Sequence, residues 1–595
     1  MKILLIQPPV RDFYQTAIRT QPIGLAYLAA SLEQHAFDVE ILDCQVTSQK
    51  KSIPLPEPFS FIKKFYPRGD LSPFRLFGNF YHFGLSYEEI ARRISSSAAD
   101  AVGVSAQFTP YCPEALQVAA LVKSMLPKVP VIMGGAHVAA APLDVLRQPS
   151  VDYVVLGEAE ESLPLLLQHI QRDRIPEQLD GVGYKLNGAL RINPRRRFIN
   201  EIDTLPFPAR QRLDLSLYTI GKQPYTVLIT SRGCPQRCTY CSVSQVMGET
   251  FRTRSPENIL EEVKQCREIF GISVFDIEDD NFTLDQKRAE HLLHLFIEEF
   301  GEDELQLRAM NGVSIFSLNK ELIAAMKRAG FHHLDLSLGS ISRRASIEIN
   351  RPHDPAQATS VLRQAAEHSL PTTTYVILGI PGHTLDEMLQ SLFYLMGQKT
   401  LIGPSIFYPT PGTAVYEQLY GSGRPPLADY SMFRSSLFPV ETEEFSRRDL
   451  ITLLKLSRWI NFVKRCILPE IGRQTILVPE LHEIAARVWM PDELKEMPRA
   501  ATSLSRPEPL TVCEVGKIAT ALFLATHDLF SVRRLRQTRA VLYHYRMAPY
   551  PASRKVLKLF WDAVDGVPIC SVPHHEMLLT NNKTTAAIKK TPPAC

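Results

Sequence analysis

Apolar positions along the first 170 residues fall into short runs, and between these runs they recur three and four apart. KILLIQ, VEILD, AVGVSAQF, VPVIMGG and VDYVVLGEAE have the length and Val/Ile content of buried strands. PIGLAYLAASLEQH, opened by Pro22, and the stretch from Pro113 to Met125 carry helical spacing. Strands alternating with helices predict a parallel sheet with right-handed crossovers, whose ligands sit outside the carboxyl ends of the strands. Those ends read Gln7-Pro8-Pro9, Ser105-Ala106-Gln107, Gly134-Gly135 and Gly157-Glu158. Between Ser48 and Ser86 the rhythm is broken by an insertion dense in Phe, Tyr and Pro, including FIKKFYPRGD and FRLFGNFYHFGLS. Such a segment covers a core or walls an apolar pocket, and the covering role is the simpler expectation.

Residues 171–220 turn polar and basic, with NPRRRF and LPFPAR, and are expected to be a connector whose arginines form a solvated face. From 221 to 415 a second series follows: YTVLIT, ENILEEVKQCREIF, VFDIED, LQLRAM, HLDLSL, TTYVILGIPG and SIFYPT, with helical stretches between. Six strand–helix units in about 190 residues suit a partial parallel barrel, since closure takes eight. From 416 to 575 the pattern is mainly helical, as in RRDLITLLKLSRWINFVKRCI, LHEIAARVW and EVGKIATALFLATHDLF. The basic run RRLRQTRAVLYHYRMAPYPASRKVLK reads as a solvated helical face, and residues 576–595 as a disordered polar tail.

A chain of 595 residues exceeds one core, and its 45% apolar and 22% charged content is that of an ordinary globular protein. A net charge of +3 gives no case for nucleic acid. No apolar run reaches the roughly 18 residues of a membrane span, so none is expected, although peripheral membrane contact stays open. MKILLIQPPV is too short for a signal peptide, and ten cysteines are too few for a disulfide scaffold, so reduced thiols and a cytoplasmic location are expected.

Chemistry concentrates in SRGCPQRCTYCSV, where Cys234, Cys238 and Cys241 fall on one loop directly after YTVLIT. Three thiolates at CxxxCxxC spacing can hold three corners of an iron–sulfur cubane and leave the fourth iron open. A zinc site would want a fourth ligand nearby, and only Cys266, in the middle of a predicted helix, lies within thirty residues. Cys44, Cys112, Cys466, Cys513, Cys570 and Cys595 are scattered, and each reads as a small buried or surface thiol.

The block TSRGCPQRCTYCSV resembles the cluster loop of the radical S-adenosylmethionine superfamily. FRTRSPENILEEV, FDIEDDNFT, RAMNGV, VILGIPGHTLDEM and FYPTPGT resemble, in order, the segments that follow it. PIGLAYLAASLEQHAFDVEILD, GLSYEEIARRI, AVGVSAQFT, GGAHV and VDYVVLGEAEESL are similar to the cobalamin-binding domain that precedes the barrel in one large subfamily. The resemblance thus covers residues 1–415. It implies an α/β chain: a doubly wound, Rossmann-like cobalamin domain over 1–170, a (β/α)6 radical barrel over 221–415, and a helical C-terminal domain. The implied cofactors are a 4Fe–4S cluster on Cys234, Cys238 and Cys241, S-adenosylmethionine, and cobalamin. S-adenosylmethionine would bind the open iron and lie near Tyr240, Asp279, Asn281, Asn311, Ser337, Gly379 and Pro381. Cobalamin would lie against Gln7, Pro9, Ser105, Gln107, Gly134, Gly135, Gly157 and Glu158. No Asp-x-His-x-x-Gly loop supplies a cobalt ligand, and His137 is expected beside the corrin rather than on the metal. LDLSLGS departs from the family's glutamate-serine-glycine-serine run, placing Ser337 where many relatives carry Glu.

The resemblance further implies reductive cleavage of S-adenosylmethionine, hydrogen abstraction by a 5′-deoxyadenosyl radical, and methyl transfer from methylcobalamin to an unactivated carbon of a small-molecule or lipid-like substrate. An external flavodoxin- or ferredoxin-type reductant is the implied partner. A cobalamin-dependent cyclase, oxidase or ring-rearranging enzyme is the alternative, and a non-catalytic sensor is a third.

Overall fold

The computed structural model describes residues 1–14, 20–45, 50–66, 76–421, 430–467, 530–536, 539–545 and 551–566. The N-terminal sheet contains β1 (Lys2–Gln7), β2 (Asp38–Asp43), β3 (Ala101–Ser105), β4 (Val131–Gly134) and β5 (Tyr153–Val155), all parallel, in the spatial order β2-β1-β3-β4-β5. Its longer helices are α1 (Ile23–Gln34), α2 (Tyr87–Ser96), α3 (Cys112–Met125) and α4 (Ser162–Gln171). Because side chains alternate along a strand, Ile3 and Leu5 enter one core with α1 and α4, while Leu4 and Ile6 enter another with α2 and α3. The order reverses between β1 and β3, and the carboxyl ends there open a crevice.

Two antiparallel strands, β6 (Val182–Leu186) and β7 (Ala189–Ile192), extend the same sheet beyond β5. The expected connector therefore begins inside the first domain. Its mixed composition hid a hairpin: Val182 and Tyr184 are buried, and Asn187-Gly188 turn with φ of 51° and 78°. The aromatic insertion does cover a core. Phe80–Phe83 pairs with Val10–Asp12 on one side and Lys50–Ile53 on the other, and Phe59, Tyr66 and Phe80 surround the Phe13 ring at centroid distances of 5.0 to 6.2 Å. These rings belong to the same apolar cluster as the second domain. Buried Arg434 ties the later chain to this region, donating to the Arg11 carbonyl at 2.7 Å and to Asp12 at 3.1 Å.

The second parallel array has two halves. β8 (Gln223–Leu228), β9 (Val274–Ile277) and β10 (Gln306–Arg308) form one, and β11 (Leu334–Gly339), β12 (Thr372–Leu378) and β13 (Leu401–Ile406) form the other. A parallel bridge from Leu307 to Phe331 joins them into one curled wall. Helices α5 (Pro256–Phe270), α6 (Gln286–Phe300), α7 (Lys320–Arg328), α8 (Pro355–Glu367) and α9 (Leu385–Met396) cover its outside. Phe275 and Ile277 face those helices, which leaves Asp276 and Glu278 on the opposite, lumenal face. α10 (Arg447–Phe462) packs across the barrel's last strand and buries Trp459.

Where described, the basic C-terminal run is helical only at its end, from Arg554. Phe530–Arg536 and Arg539–Tyr545 are antiparallel strands, as the Val, Leu and Tyr residues between the arginines favour. α11 (Arg554–Gly566) follows them. LHEIAARVW and the 576–595 tail lie outside the described residues, as does EVGKIATALFLATHDLF apart from Phe530. Among the described residues no helix is long and apolar enough to cross a membrane.

The first barrel strand is locked to α5 by a buried ion cluster. Glu262 is 0% exposed and accepts from Arg210 at 2.5 Å and from Arg254, while Arg210 also bonds Thr226 and the Val227 carbonyl of β8. Burial alone would raise the Glu262 pKa, but the two guanidiniums outweigh it and hold the carboxyl below its ordinary value. Glu262→Ala leaves both cations unpaired and should cost about 3–5 kcal/mol, read by chemical denaturation at neutral pH. Because the folded-state pKa is depressed, the difference between parent and variant should be full above the ordinary carboxylate range and shrink as pH falls below it.

Candidate cofactor cleft and cluster loop

The carboxyl ends of the two parallel arrays face one cleft with about 1480 Å³ of space between atoms, part of it open to solvent. Gln7, Ser105, Gln107, Gly134, Gly135, Gly157 and Glu158 line it from the first domain, as the strand-end pattern predicts. Leu5, Leu25 and Ile132 give it an apolar floor, and Glu278, Asp280 and Asn311 line it from the barrel. An apolar floor rimmed by amide and hydroxyl groups fits a broad ligand with an amide-bearing edge, which is the chemistry of a corrin.

Two of the expected corrin residues do not line the cleft. Pro9 packs toward Gly84. His137 is 1% exposed, with Nδ1 3.2 Å from the Thr109 hydroxyl and its ring edge-on to Tyr430 at 4.5 Å. Burial pushes its pKa down to about 4 and keeps the imidazole neutral. His137 is thus a packed residue behind the cleft wall.

The cluster loop leaves β8 through a short hairpin, Ser231–Arg232 paired with Arg252–Thr253. Gly233 follows at φ 81°, and a Cβ there would stand 2.4 Å from the Thr250 carbonyl, so the turn into Cys234 admits only glycine. The Cys234 N–H donates to Gly248 at 3.4 Å, and the Cys241 N–H to Cys238 at 3.0 Å. All three thiols are free and half-buried. Among the described residues no three His, Cys, Asp or Glu groups converge on a point suited to one metal ion. Burial raises the pKa of Cys238 and pushes Cys241 up to about 11, with the neighbouring thiols adding to it. Binding iron would therefore release protons. Asn281 offers its amide to the Cys234 sulfur at 3.9 Å, and its buried Oδ1 has no partner. An unsatisfied polar atom beside three free thiols fits a site built for a polar ligand at a cluster.

The predicted S-adenosylmethionine residues divide. Tyr240 lies beside the thiols, and its hydroxyl accepts from Arg351 at 2.8 Å. Arg351 also donates to the Ser337 hydroxyl at 3.1 Å. Asn311 lines the cleft. Asp279 spends its carboxylate inside the chain, accepting from the Thr230 N–H at 2.6 Å and the Ser231 hydroxyl at 2.6 Å. Its buried place beneath the loop is that of a support. Gly379 lies against Leu450 of α10, and Pro381 is buried just beyond it.

Sequence reasoning missed Arg351, Arg232, Glu160 and Glu278. Isolated charged residues give no motif, and only the fold brings them to the cleft or the loop. Burial and the Asp276 charge push Glu278 up to about 7.

Residues 228–395 match the Radical SAM superfamily model and residues 79–167 the B12 binding domain model. An uncharacterized methyltransferase of Pyrococcus horikoshii is 31% identical over 424 residues, which cover 70% of this chain and 83% of that protein. The chain belongs to the cobalamin-dependent radical S-adenosylmethionine family. Cytidylyl-2-hydroxyethylphosphonate methyltransferase of Streptomyces wedmorensis is 27% identical over 66% of this chain and 76% of its own length. The radical S-adenosylmethionine methyltransferase TsrM of Kitasatospora setae, solved with cobalamin and a [4Fe-4S] cluster, shares the fold at a TM-score of 0.55 and 16% identity, covering 71% of this chain and 76% of that one. This family member is an enzyme whose cofactors are a 4Fe–4S cluster, S-adenosylmethionine and cobalamin.

Gly233→Ala should force the 247–250 segment away from the cluster loop. Anaerobic reconstitution should then yield well under half the parent's iron and sulfide per chain, while unfolding remains cooperative.

Proposed function

We propose that this enzyme methylates an unactivated carbon of a small-molecule or lipid-like metabolite. The observation that carries the proposal is the shared cleft: the corrin-side strand ends and the barrel mouth beside Cys234 line one cavity. Methyltransferases stand among the relatives, in keeping with that arrangement. When bound, the cluster with S-adenosylmethionine supplies a carbon radical able to take hydrogen from C–H, and cobalamin supplies the methyl carrier.

The chain's own part is placement and exclusion of water. Cys234, Cys238 and Cys241 would hold the iron, with the Asn281 amide beside the Cys234 sulfur and Tyr240 between Cys238 and Cys241 in the chain. Arg351, set between Tyr240 and Ser337, holds a positive charge near the thiols, where a carboxylate ligand gains most. Gln7, Ser105 and Gln107 offer hydrogen bonds to the corrin edge, and Asn311 reaches the cleft from the barrel. Residues 1–170 act as a Rossmann-like corrin domain, completed by β6 and β7 from the 171–220 connector, and 221–415 as a (β/α)6 barrel. Within the C-terminal region expected over 416–575, α10 packs on the barrel's flank. A flavodoxin- or ferredoxin-type carrier is the electron donor.

Replacing any one of Cys234, Cys238 or Cys241 by Ala should abolish 5′-deoxyadenosine formation under strong reduction, whereas Cys266→Ala, a buried thiol on α5, should retain it. With methyl-labelled S-adenosylmethionine and a cell extract as acceptor, label should appear in a product other than methionine. Turnover with no labelled product would replace methyl transfer by cyclisation or oxidation.

A further inference from the structure

The cleft wall and the cluster loop share one set of buried charges. Glu158, at the end of β5, has a side chain closed to solvent. Its Oε1 accepts from Arg232 at 3.0 Å and from Arg252 at 2.9 Å, and its Oε2 from Arg252 at 2.9 Å and from the Ile199 N–H at 2.9 Å. Glu160 takes the second Arg232 nitrogen at 2.6 Å. Arg232 and Arg252 face each other across the hairpin that launches the cluster loop, and Arg232 is two residues from Cys234. Arg252 continues the tie by donating to the Met247 carbonyl at 2.5 Å. The backbone contact is equally close: a Cβ on Gly157 would stand 2.8 Å from the Val246 carbonyl.

These groups are also the cleft's lining. Gly157, Glu158, Glu160, Arg232, Met247 and the Tyr27 ring beneath Arg232 all border it. Arg232 is 4% exposed, and its Nε–H is buried without a partner. An unpaired guanidinium N–H on a cavity wall is a donor awaiting an acceptor, and an amide-rimmed ligand carries many. A ligand filling the cleft must meet the 157–160 loop, and that loop cannot move without its carboxylates drawing on Arg232 and Arg252.

Resting on the cofactor assignment above, we infer that Glu158, Glu160, Arg232 and Arg252 are positioning residues that couple occupancy of the corrin cleft to the geometry of the cluster loop. Filling the cleft tightens the hairpin ahead of Cys234 and so favours S-adenosylmethionine at the cluster. The coupling is reciprocal: S-adenosylmethionine must strengthen binding in the cleft by the same factor.

The test needs no substrate. Anaerobically reconstituted full-length protein is titrated with S-adenosylmethionine, followed by the electron paramagnetic resonance of the reduced cluster, with and without hydroxocobalamin. Hydroxocobalamin affinity is measured in turn, by absorbance, with and without S-adenosylmethionine. In the parent each ligand should tighten the other by at least the roughly fivefold usual for coupled sites, and by equal factors. Glu160→Gln and, separately, Arg232→Lys should retain iron and sulfide and, whatever the change in their own hydroxocobalamin affinity, reduce both factors below about twofold. Equal coupling in parent and variants, or parent binding of both ligands with no mutual effect, overturns the inference alone. A parent that takes up a cluster but never binds hydroxocobalamin overturns the cofactor assignment together with it. Should Arg232→Lys fail to fold, Glu160→Gln decides, since its amide keeps the size and one acceptor.

Discussion

A carboxylate without access to water, Glu158, lies between two guanidiniums that belong to a different domain, and the site takes its shape from that fact. Desolvating three charges costs several kcal/mol each before their mutual attraction is counted. An apolar contact would join two domains with less demand on geometry, but it would tolerate sliding. Fixed donors and acceptors do not. Both Glu158 oxygens are occupied, the Ile199 amide included, so the β5 loop has one register against the cluster hairpin. The same logic recurs at Glu262, which ties β8 to α5 through Arg210 and Arg254. Two buried acids thus hold the first barrel strand and the loop that leaves it.

That rigidity answers a chemical need. A primary carbon radical reacts with almost any C–H or S–H it meets, so its lifetime depends on where surrounding groups are held. The fold turns strand ends of the two parallel arrays toward one shared cleft. The aromatic insertion assists from behind. Its rings enter the barrel's own core and make the first domain's loops continuous with the second domain's packing.

Much of this was legible in the residues. Strand–helix alternation announced both arrays because Ile3 to Ile6 must satisfy two cores at once, which a parallel strand buried on both faces does. The three cysteines stood out because their spacing has few other uses, and the fold sets them together on one half-buried loop. The failures share a cause. Val182–Ile192 looked like a connector because its strands are short and one side is solvated, and the C-terminal Arg-rich run looked helical because charge hid the alternation of Val541, Tyr543 and Tyr545. Asp279 looked like a ligand because it stands in a polar strand end, and nothing local says that Thr230 and Ser231 claim both of its oxygens. Arg232 and Arg351 carried no signal, since their roles arise from partners 72 and 111 residues away in the chain.

The departure in LDLSLGS acquires a physical sense from Arg351. A glutamate at Ser337 would place a second acidic group on the face where Arg351 now donates to both the Ser337 carbonyl and its hydroxyl. The short serine leaves the guanidinium free to extend to the Tyr240 hydroxyl, and Arg351 Nε remains buried without a partner. A glutamate would neutralise that cation and occupy its donors. With serine, the positive charge stays within reach of Cys238 and Cys241 and interacts with both thiols. At this position the strand presents a short acceptor to a donor that also serves Tyr240.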